Sequence, residues 1–172
     1  RRRGAGVSGV VPERADEPSY EEIATTVAAL IDGETDWIAV LSTVVAELHQ
    51  SRARFHWTGF YRALGEALRV GPYQGGHGCL FIPFSRGVCG HVARTGEPIL
   101  VADVSAFADH IACSSKTVSE IVVPIHNRER ALVAVLDVDS DWEGALTEED
   151  LSGLLVIAGL VGGHPATPGN TP

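Results

Sequence analysis

The chain of 172 residues has little positive charge, no long apolar run and only three cysteines. Its 13 lysines and arginines stand against 22 aspartates and glutamates, and this net charge of −9 opposes binding to nucleic-acid phosphates. No apolar run approaches the roughly 18 residues that a membrane-spanning helix needs, so we expect no membrane partner. Because no basic segment is followed by the apolar stretch of a secretory signal, we expect a reducing, cytoplasmic setting.

The three cysteines, Cys79, Cys89 and Cys113, lie in one window rich in glycine and histidine. An odd number cannot be paired completely within one chain, so clustered thiols here favour redox chemistry or metal binding over structural disulfides. Two alternatives remain open. The cysteines could be small apolar core residues, or the neighbouring His–Cys pairs could bind zinc, although the Cys-x-x-Cys spacing typical of zinc is missing.

The hydrophobic patterns predict an α+β fold. Helical spacing follows a capping box at Ser19–Glu22 and recurs from Thr35 and Thr147. Apolar hairpin patterns predict a largely antiparallel sheet with helices packed on one face. The long loops over residues 71–119 are expected to carry the function. Glycine and proline predict a flexible arm over residues 1–18 and a flexible tail over residues 163–172, which leaves 19–162 as the folded domain.

Acidic residues gather at the ends of two predicted strands. Asp137 and Asp139 flank Val138, and the two-residue period of a strand puts both on one face, while Glu120 begins the neighbouring strand. Carboxyls that share a face resist ionising together, so we expect a raised pKa in at least one of them. Such a group can donate a proton or bind an ammonium group. The alternative is that these acids are solvated strand ends.

An aromatic pair lies on the first predicted strand. Trp57 and Tyr61 share one face with Gly59 between them, and we expect this glycine to leave room for a small apolar ligand group against the rings. The alternative is that Trp57 belongs to the core. A predicted helix begins near Cys89, and a helix N-terminus favours the thiolate form. A nucleophilic thiol with a second, resolving thiol is the minimal set for a thiol-dependent reductase.

Six short segments together carry a resemblance to a known family, and they occur along the chain in this order: 57–61, 70–75, 87–90, 110–113, 119–124 and 135–140. From about Tyr20 to Leu160 they resemble the free methionine-(R)-sulfoxide reductases, a family of single GAF domains. The resemblance implies a GAF fold, free methionine (R)-sulfoxide as substrate, and no metal or organic cofactor. It also suggests a homodimer.

The resemblance assigns roles to individual residues. Cys113 matches the nucleophile that attacks the sulfoxide sulfur and becomes a sulfenic acid. Cys79 matches the preferred resolving thiol, Cys89 can also form a disulfide with Cys113, and thioredoxin then reduces the disulfide. The carboxylates that polarise the sulfoxide oxygen and hold the amino group match Glu120, Asp137 and Asp139, and the wall around the methyl group matches Trp57 and Tyr61.

One alternative function remains open at this point. A GAF domain can be a sensory module that binds a small molecule, such as a cyclic nucleotide, without catalysis. A binding module needs no cysteines, so the thiols together with the three carboxylates favour the reductase.

Overall fold

The computed structural model describes residues 17–108 and 114–170 of the chain. Most of the predicted N-terminal arm (1–16) and the segment 109–113, which contains Cys113, lie outside the described residues. The elements follow in this order: α1 (Tyr20–Leu30), α2 (Trp37–Ser51), β1 (Trp57–Leu64), β2 (Ala67–Gln74), β3 (Phe81–Pro83), α3 (Gly87–Thr95), β4 (Ile99–Val101), a 3-10 turn (Val104–Ala106), β5 (Ser119–His126), β6 (Leu132–Ser140) and α4 (Glu148–Gly163).

The sheet is antiparallel and has six strands in the order β3-β2-β1-β6-β5-β4. Strands β1 and β6 are distant in sequence but lie side by side at the centre, which joins the two predicted hairpins into one sheet. This confirms the predicted α+β class with a largely antiparallel sheet.

Each face of the sheet has its own apolar core. Helices α1, α2 and α4 cover one face, where they bury alternate strand residues such as Ile121, Val123 and Leu136. Helix α3 packs on the opposite face against residues of the other parity, including Val122 and Val135. The prediction of helices on one face therefore holds for α1, α2 and α4, whereas α3 lies across the sheet.

The predicted helix starts agree with the caps that the structure forms. Ser19 and Glu22 complete a capping box at α1, and Thr147 and Asp150 complete another at α4. At α2 the cap is Asp36, whose carboxylate accepts hydrogen bonds from two backbone amides of the first turn. None of the helices in the described part of the chain has the length and apolarity that crossing a membrane requires.

Residues 164–170 fold back on α4. Thr167 is 1% exposed and its hydroxyl donates a hydrogen bond to the carbonyl of Val161. The side-chain amide of Asn170 donates to the carbonyls of Gly162 and His164. Sequence analysis predicts a flexible tail here, whereas these bonds satisfy carbonyls at the end of α4 and so hold residues 164–170 against the helix.

Helices α1 and α4 meet at a tightly packed polar junction. The ring of Tyr20 lies directly on Gly153, and its hydroxyl donates to Asp150 Oδ1 at 2.7 Å. Arg54 donates to the same oxygen at 2.7 Å. Burial alone would raise the pKa of Asp150, but the hydrogen bonds from Arg54 and Tyr20 outweigh it and hold that pKa below its ordinary value.

We expect Gly153→Ala to lower the free energy of unfolding by about 1–3 kcal/mol, since its Cβ would overlap the Tyr20 ring and force the helices apart. Gly159→Ala on the exposed side of the same helix is the matched control, because no atom lies within 4 Å of its added Cβ. The control should gain about 0.5–1 kcal/mol of helix propensity. Urea denaturation measures both, and equal effects of the two substitutions would contradict the packing described.

Candidate active site

Strand pairing brings the three predicted carboxylates together. Glu120 of β5 lies directly opposite Asp139 of β6, and Val122 lies opposite Asp137. The two aspartates share one face, as predicted, because Val138 between them points into the core on the α1, α2 and α4 side. All three acids therefore point to the face on which α3 packs.

Strand β1 supplies an aromatic wall beside these acids. Trp57 lies opposite Asp139, and Gly59 lies opposite Asp137. The rings of Trp57 and Tyr61 are stacked with centroids 5.6 Å apart, and the indole Nε1 donates to the carbonyl of Gly76 at 3.2 Å. This hydrogen bond and the stacking fix the indole in one orientation.

The space over Gly59 is not left for a ligand, which corrects the sequence-based expectation. A Cβ at Gly59 would lie 2.5 Å from the Trp57 ring, so the indole itself fills that space. Tyr73, which lies opposite Gly59 on β2, also stacks on Trp57 with centroids 5.3 Å apart. Sequence analysis missed Tyr73 as a support of the wall, because only the strand register brings it to the indole.

Helix α3 closes the site with a buried thiol. It begins at Gly87, whose φ of +73° suits glycine, and it carries Cys89 in its first turn. Cys89 is a free thiol, 3% exposed, that donates to Glu120 Oε1 across 3.8 Å. A Cβ at Gly90 would lie 2.5 Å from the carbonyl oxygen of Pro83, so glycine allows α3 to pack this close to β3.

The environment of Cys89 opposes the thiolate that its helix position suggests. Burial raises the pKa of the Cys89 thiol well above its ordinary value, and the negative charges of Asp137 and Glu120 raise it further. The expectation of a thiolate favoured by the helix N-terminus is therefore wrong for Cys89. Desolvation and two nearby acids outweigh the partial positive charge of a helix end.

Burial also raises the pKa of each carboxyl in the cluster. For Glu120 the charge of Asp139 adds to the effect of burial, and for Asp137 the charge of Glu120 does so. Burial and Asp137 likewise raise the pKa of Asp139, although a hydrogen bond from Thr117 Oγ1 at 3.3 Å opposes them. The predicted rise in carboxyl pKa is confirmed, and protonated carboxyls are favoured in this site.

Two carboxylate oxygens in the cluster can each accept a further hydrogen bond. Asp137 Oδ1 and Asp139 Oδ1 are buried without a hydrogen-bond partner among the described residues. No lysine or arginine lines the cavity in that part of the chain. Unpaired buried acceptors are costly, so the site is suited to a ligand that brings a positive charge and hydrogen-bond donors.

These groups line one cavity with about 460 Å³ of empty space, its open mouth included. An aromatic wall and an acidic floor give it one apolar side and one polar side, as a small zwitterion with an apolar end would require. The lining consists of Trp57, Tyr61, His77, Gly78, Ile82, Gly87, Val88, Cys89, Ser114, Thr117, Glu120, Asp137 and Asp139.

Six of the eight predicted site residues lie together in this cavity. Trp57, Tyr61, Cys89 and the three acids line the cavity, while Cys113 lies outside the described residues. Cys79 lies in the loop that joins β2 to β3. It is half-buried and packs against the apolar cluster on the α3 face. Its neighbour Gly78 touches the wall, since a Cβ there would lie 2.8 Å from the Trp57 ring.

A zinc site built from the His–Cys pairs finds no support among the described residues. The ring of His91 packs edge-on against Phe107 at 5.8 Å between centroids. The group of potential ligands that does form consists of Cys89, Glu120 and Asp137 and contains no histidine. Thr117, which anchors Asp139, is a further residue that sequence analysis missed, because a lone threonine in a loop carries no signal.

Comparisons with known proteins agree on one family. The profile of the GAF domain matches residues 36–164. Free methionine-R-sulfoxide reductase of Escherichia coli is 37% identical over 135 residues, which cover 78% of this chain and 81% of that protein. The Saccharomyces cerevisiae protein of the same name is 38% identical over 136 residues, which cover 74% of this chain and 76% of that protein.

A solved structure supports the same relationship. Free methionine-R-sulfoxide reductase from Neisseria meningitidis, in complex with its substrate, superposes with a TM-score of 0.78 at 38% identity. The match covers 83% of this chain and 85% of that one. The chain therefore belongs to the GAF domain family and, within it, to the free methionine-R-sulfoxide reductases.

Proposed function

We propose that this protein reduces free methionine (R)-sulfoxide to methionine with electrons from its own cysteine thiols. The observation that carries the proposal is a cavity in which three buried carboxyls of raised pKa face a fixed aromatic wall. Relatives named for this activity match most of the chain.

The substrate's position follows from charge and polarity. Its ammonium group suits Asp137 and Asp139, because each has a buried oxygen without a hydrogen-bond partner in the described structure. Its methyl group suits the stacked rings of Trp57 and Tyr61. With both ends held, the sulfoxide oxygen is directed to one side of the sulfur, and this accounts for selection of a single epimer.

Glu120 is the proposed proton donor. A sulfoxide oxygen is a poor leaving group until it is protonated, so an acid that keeps its proton near neutral pH accelerates the reaction. Burial and the charge of Asp139 raise the pKa of Glu120 well above its ordinary value, which favours this role. The role resembles that of other carboxyls held neutral by apolar surroundings in order to donate a proton.

The proposed chemistry has two balanced steps. The thiolate of Cys113 attacks the sulfoxide sulfur, the oxygen passes to the cysteine, and the products are methionine and Cys113 sulfenic acid. The sulfoxide sulfur gains two electrons and Cys113 loses them. The thiol of Cys79 then displaces hydroxide, which leaves as water after protonation, and a disulfide forms. A dithiol protein such as thioredoxin reduces this disulfide in turn.

Cys79 is a better resolving thiol than Cys89 in this scheme. Cys89 is 3% exposed, and burial with two neighbouring acids raises its thiol pKa, so it has little thiolate at neutral pH. Cys79 is half-buried, on a loop whose neighbouring glycine lines the cavity. Loops can move a thiol toward a sulfenic acid more readily than the first turn of a packed helix.

The test of the function is methionine release from each epimer of free methionine sulfoxide with dithiothreitol as reductant. The (R) epimer should be consumed and the (S) epimer should be a poor substrate, and Cys113→Ser should release no methionine even in a single turnover. Binding of either epimer without release of methionine would instead identify a sensory module, the alternative function.

We expect Glu120→Gln to lower kcat by about 10²–10⁴-fold, because glutamine keeps the shape of the side chain but has no acidic proton. The KM should change far less, since the ammonium group binds the aspartates. Steady-state kinetics with the (R) epimer measure both constants. Glu97→Gln, at an exposed glutamate outside the cavity, is the matched control, and an equal kcat for the two variants would remove Glu120 from the proton-donor role.

The raised carboxyl pKa values also predict how stability depends on pH. The folded state favours protonated Asp137, so its contribution to stability is complete below the ordinary pKa of 3.8 and is lost as pH rises through the higher folded value. Asp137→Asn cannot ionise and avoids this loss. We expect its Tm to exceed that of the unsubstituted protein at pH 8, by about 2–4 °C for each kcal/mol relieved.

The difference in Tm should shrink as the pH falls toward 4, where both proteins carry a neutral side chain at residue 137. Asp32→Asn, at an exposed aspartate, serves as the control. Thermal unfolding followed by circular dichroism at several pH values measures the difference. A variant that is less stable than the unsubstituted protein at pH 8 would show that Asp137 is ionised and stabilised there.

A further inference from the structure

The proposed reaction leaves one buried thiol without a role. Cys89 of α3 is a free thiol, and its Sγ, one oxygen of Glu120 on β5 and one oxygen of Asp137 on β6 all lie within 4.8 Å of one another. All three residues are less than 7% exposed. Three different elements therefore converge on one point with a sulfur and two oxygens.

We propose that Cys89, Glu120 and Asp137 form a binding site for a thiophilic divalent cation such as Zn²⁺, and that the bound ion excludes the substrate from the cavity. The ion would act as an inhibitor and not as a cofactor. The exclusion of substrate rests on the proposed function, whereas the metal site itself does not.

The distances are compatible with a tetrahedral ion. Zinc bonds of about 2.3 Å to sulfur and about 2.0 Å to oxygen place a ligand sulfur and a ligand oxygen roughly 3.5 Å apart. Cys89 Sγ and Glu120 Oε1 are 3.8 Å apart, so a side-chain shift of a few tenths of an ångström suffices for this pair. The cavity in front of the three residues leaves the fourth position to water, as in open zinc sites.

The charge balance of the cavity points to a cation independently of these distances. Asp137 is 5% exposed and its Oδ1 has no hydrogen-bond partner among the described residues. The cavity lining in that part of the chain contains no lysine or arginine, and no salt bridge among the described residues involves Cys89, Glu120 or Asp137. A divalent ion would supply the missing partner and neutralise acids that otherwise repel each other.

The kind of donor selects the kind of ion. A thiolate ligand favours zinc and other soft or borderline ions over magnesium and calcium, which prefer an all-oxygen shell. Binding replaces the thiol proton of Cys89, which passes to solvent. Asp139 lies directly opposite Glu120 on β6 and accepts a hydrogen bond from Thr117, so it remains beside the ion as a further acidic group.

Competition follows from shared groups. Asp137 is proposed to hold the substrate's ammonium and Glu120 to protonate its oxygen, and an ion bound by both occupies those carboxylates. Substrate and ion then cannot be bound at full strength together, and each lowers the apparent affinity for the other by the same factor.

The experiment uses a variant of the full chain in which Cys89 is the only thiol, Cys79→Ser/Cys113→Ser. Titration with Co²⁺, a spectroscopic substitute for Zn²⁺, under anaerobic conditions should produce a thiolate-to-cobalt charge-transfer band that saturates at one ion per chain. Addition of Cys89→Ser should abolish the band. Glu120→Gln or Asp137→Asn should each weaken binding by about tenfold or more, and Glu97→Gln should leave it unchanged.

A folded double variant that shows no band would overturn the metal site. A Co²⁺ affinity that neither carboxylate substitution changes would overturn it as well. Should the double variant fail to fold, calorimetry of Zn²⁺ binding to the reduced, unsubstituted protein and to Asp137→Asn gives the same decision. Equal affinity of these two proteins for Zn²⁺ contradicts the proposal.

A second arm separates this proposal from the proposed function. The double variant lacks the nucleophile Cys113, so free methionine (R)-sulfoxide can bind without being reduced. The sulfoxide should bleach the cobalt band as it displaces the ion. A band that forms and persists at saturating sulfoxide leaves the metal site standing and counts against the proposed position of the substrate.

Discussion

The structure of the site depends on the burial of three carboxyl groups in one cavity that has no lysine or arginine among its described lining. Such burial penalises the charged forms and raises each pKa. It also creates a strong preference for a ligand that brings positive charge. The raised carboxyl pKa that the proposed reaction needs and the cation affinity inferred for the cluster have this same physical origin.

The fold holds the acids together because they lie on the central strands of a rigid sheet. Strand β6 is paired on both sides, by β1 and β5, so Asp137 and Asp139 cannot withdraw from Glu120 or from the aromatic wall. Helices α1, α2 and α4 bury the opposite face and supply the larger apolar core. One face therefore provides stability while the other tolerates an unfavourable cluster of acids.

Cys89 and Cys79 differ in how deeply they are buried beside the acidic cluster. Near the acids, a thiol such as Cys89 loses its tendency to ionise, and in the inferred metal site a cation replaces its proton. Cys79 lies on a loop at the margin of the same cavity lining. The proposed division into a resolving thiol and a metal-binding thiol thus follows from burial and not from spacing along the chain.

The sequence by itself determined the elements and part of the site, because helix caps at Ser19 and Thr147 and the two-residue period of Asp137 and Asp139 are local properties. The tertiary structure alone decided that α3 packs across the sheet, that the Trp57 indole fills the space over Gly59, and that Cys89 is buried against Glu120. These outcomes depend on strand register and on packing between segments far apart in the chain. A pKa likewise depends on the solvent and charge around a group, which residue spacing does not encode.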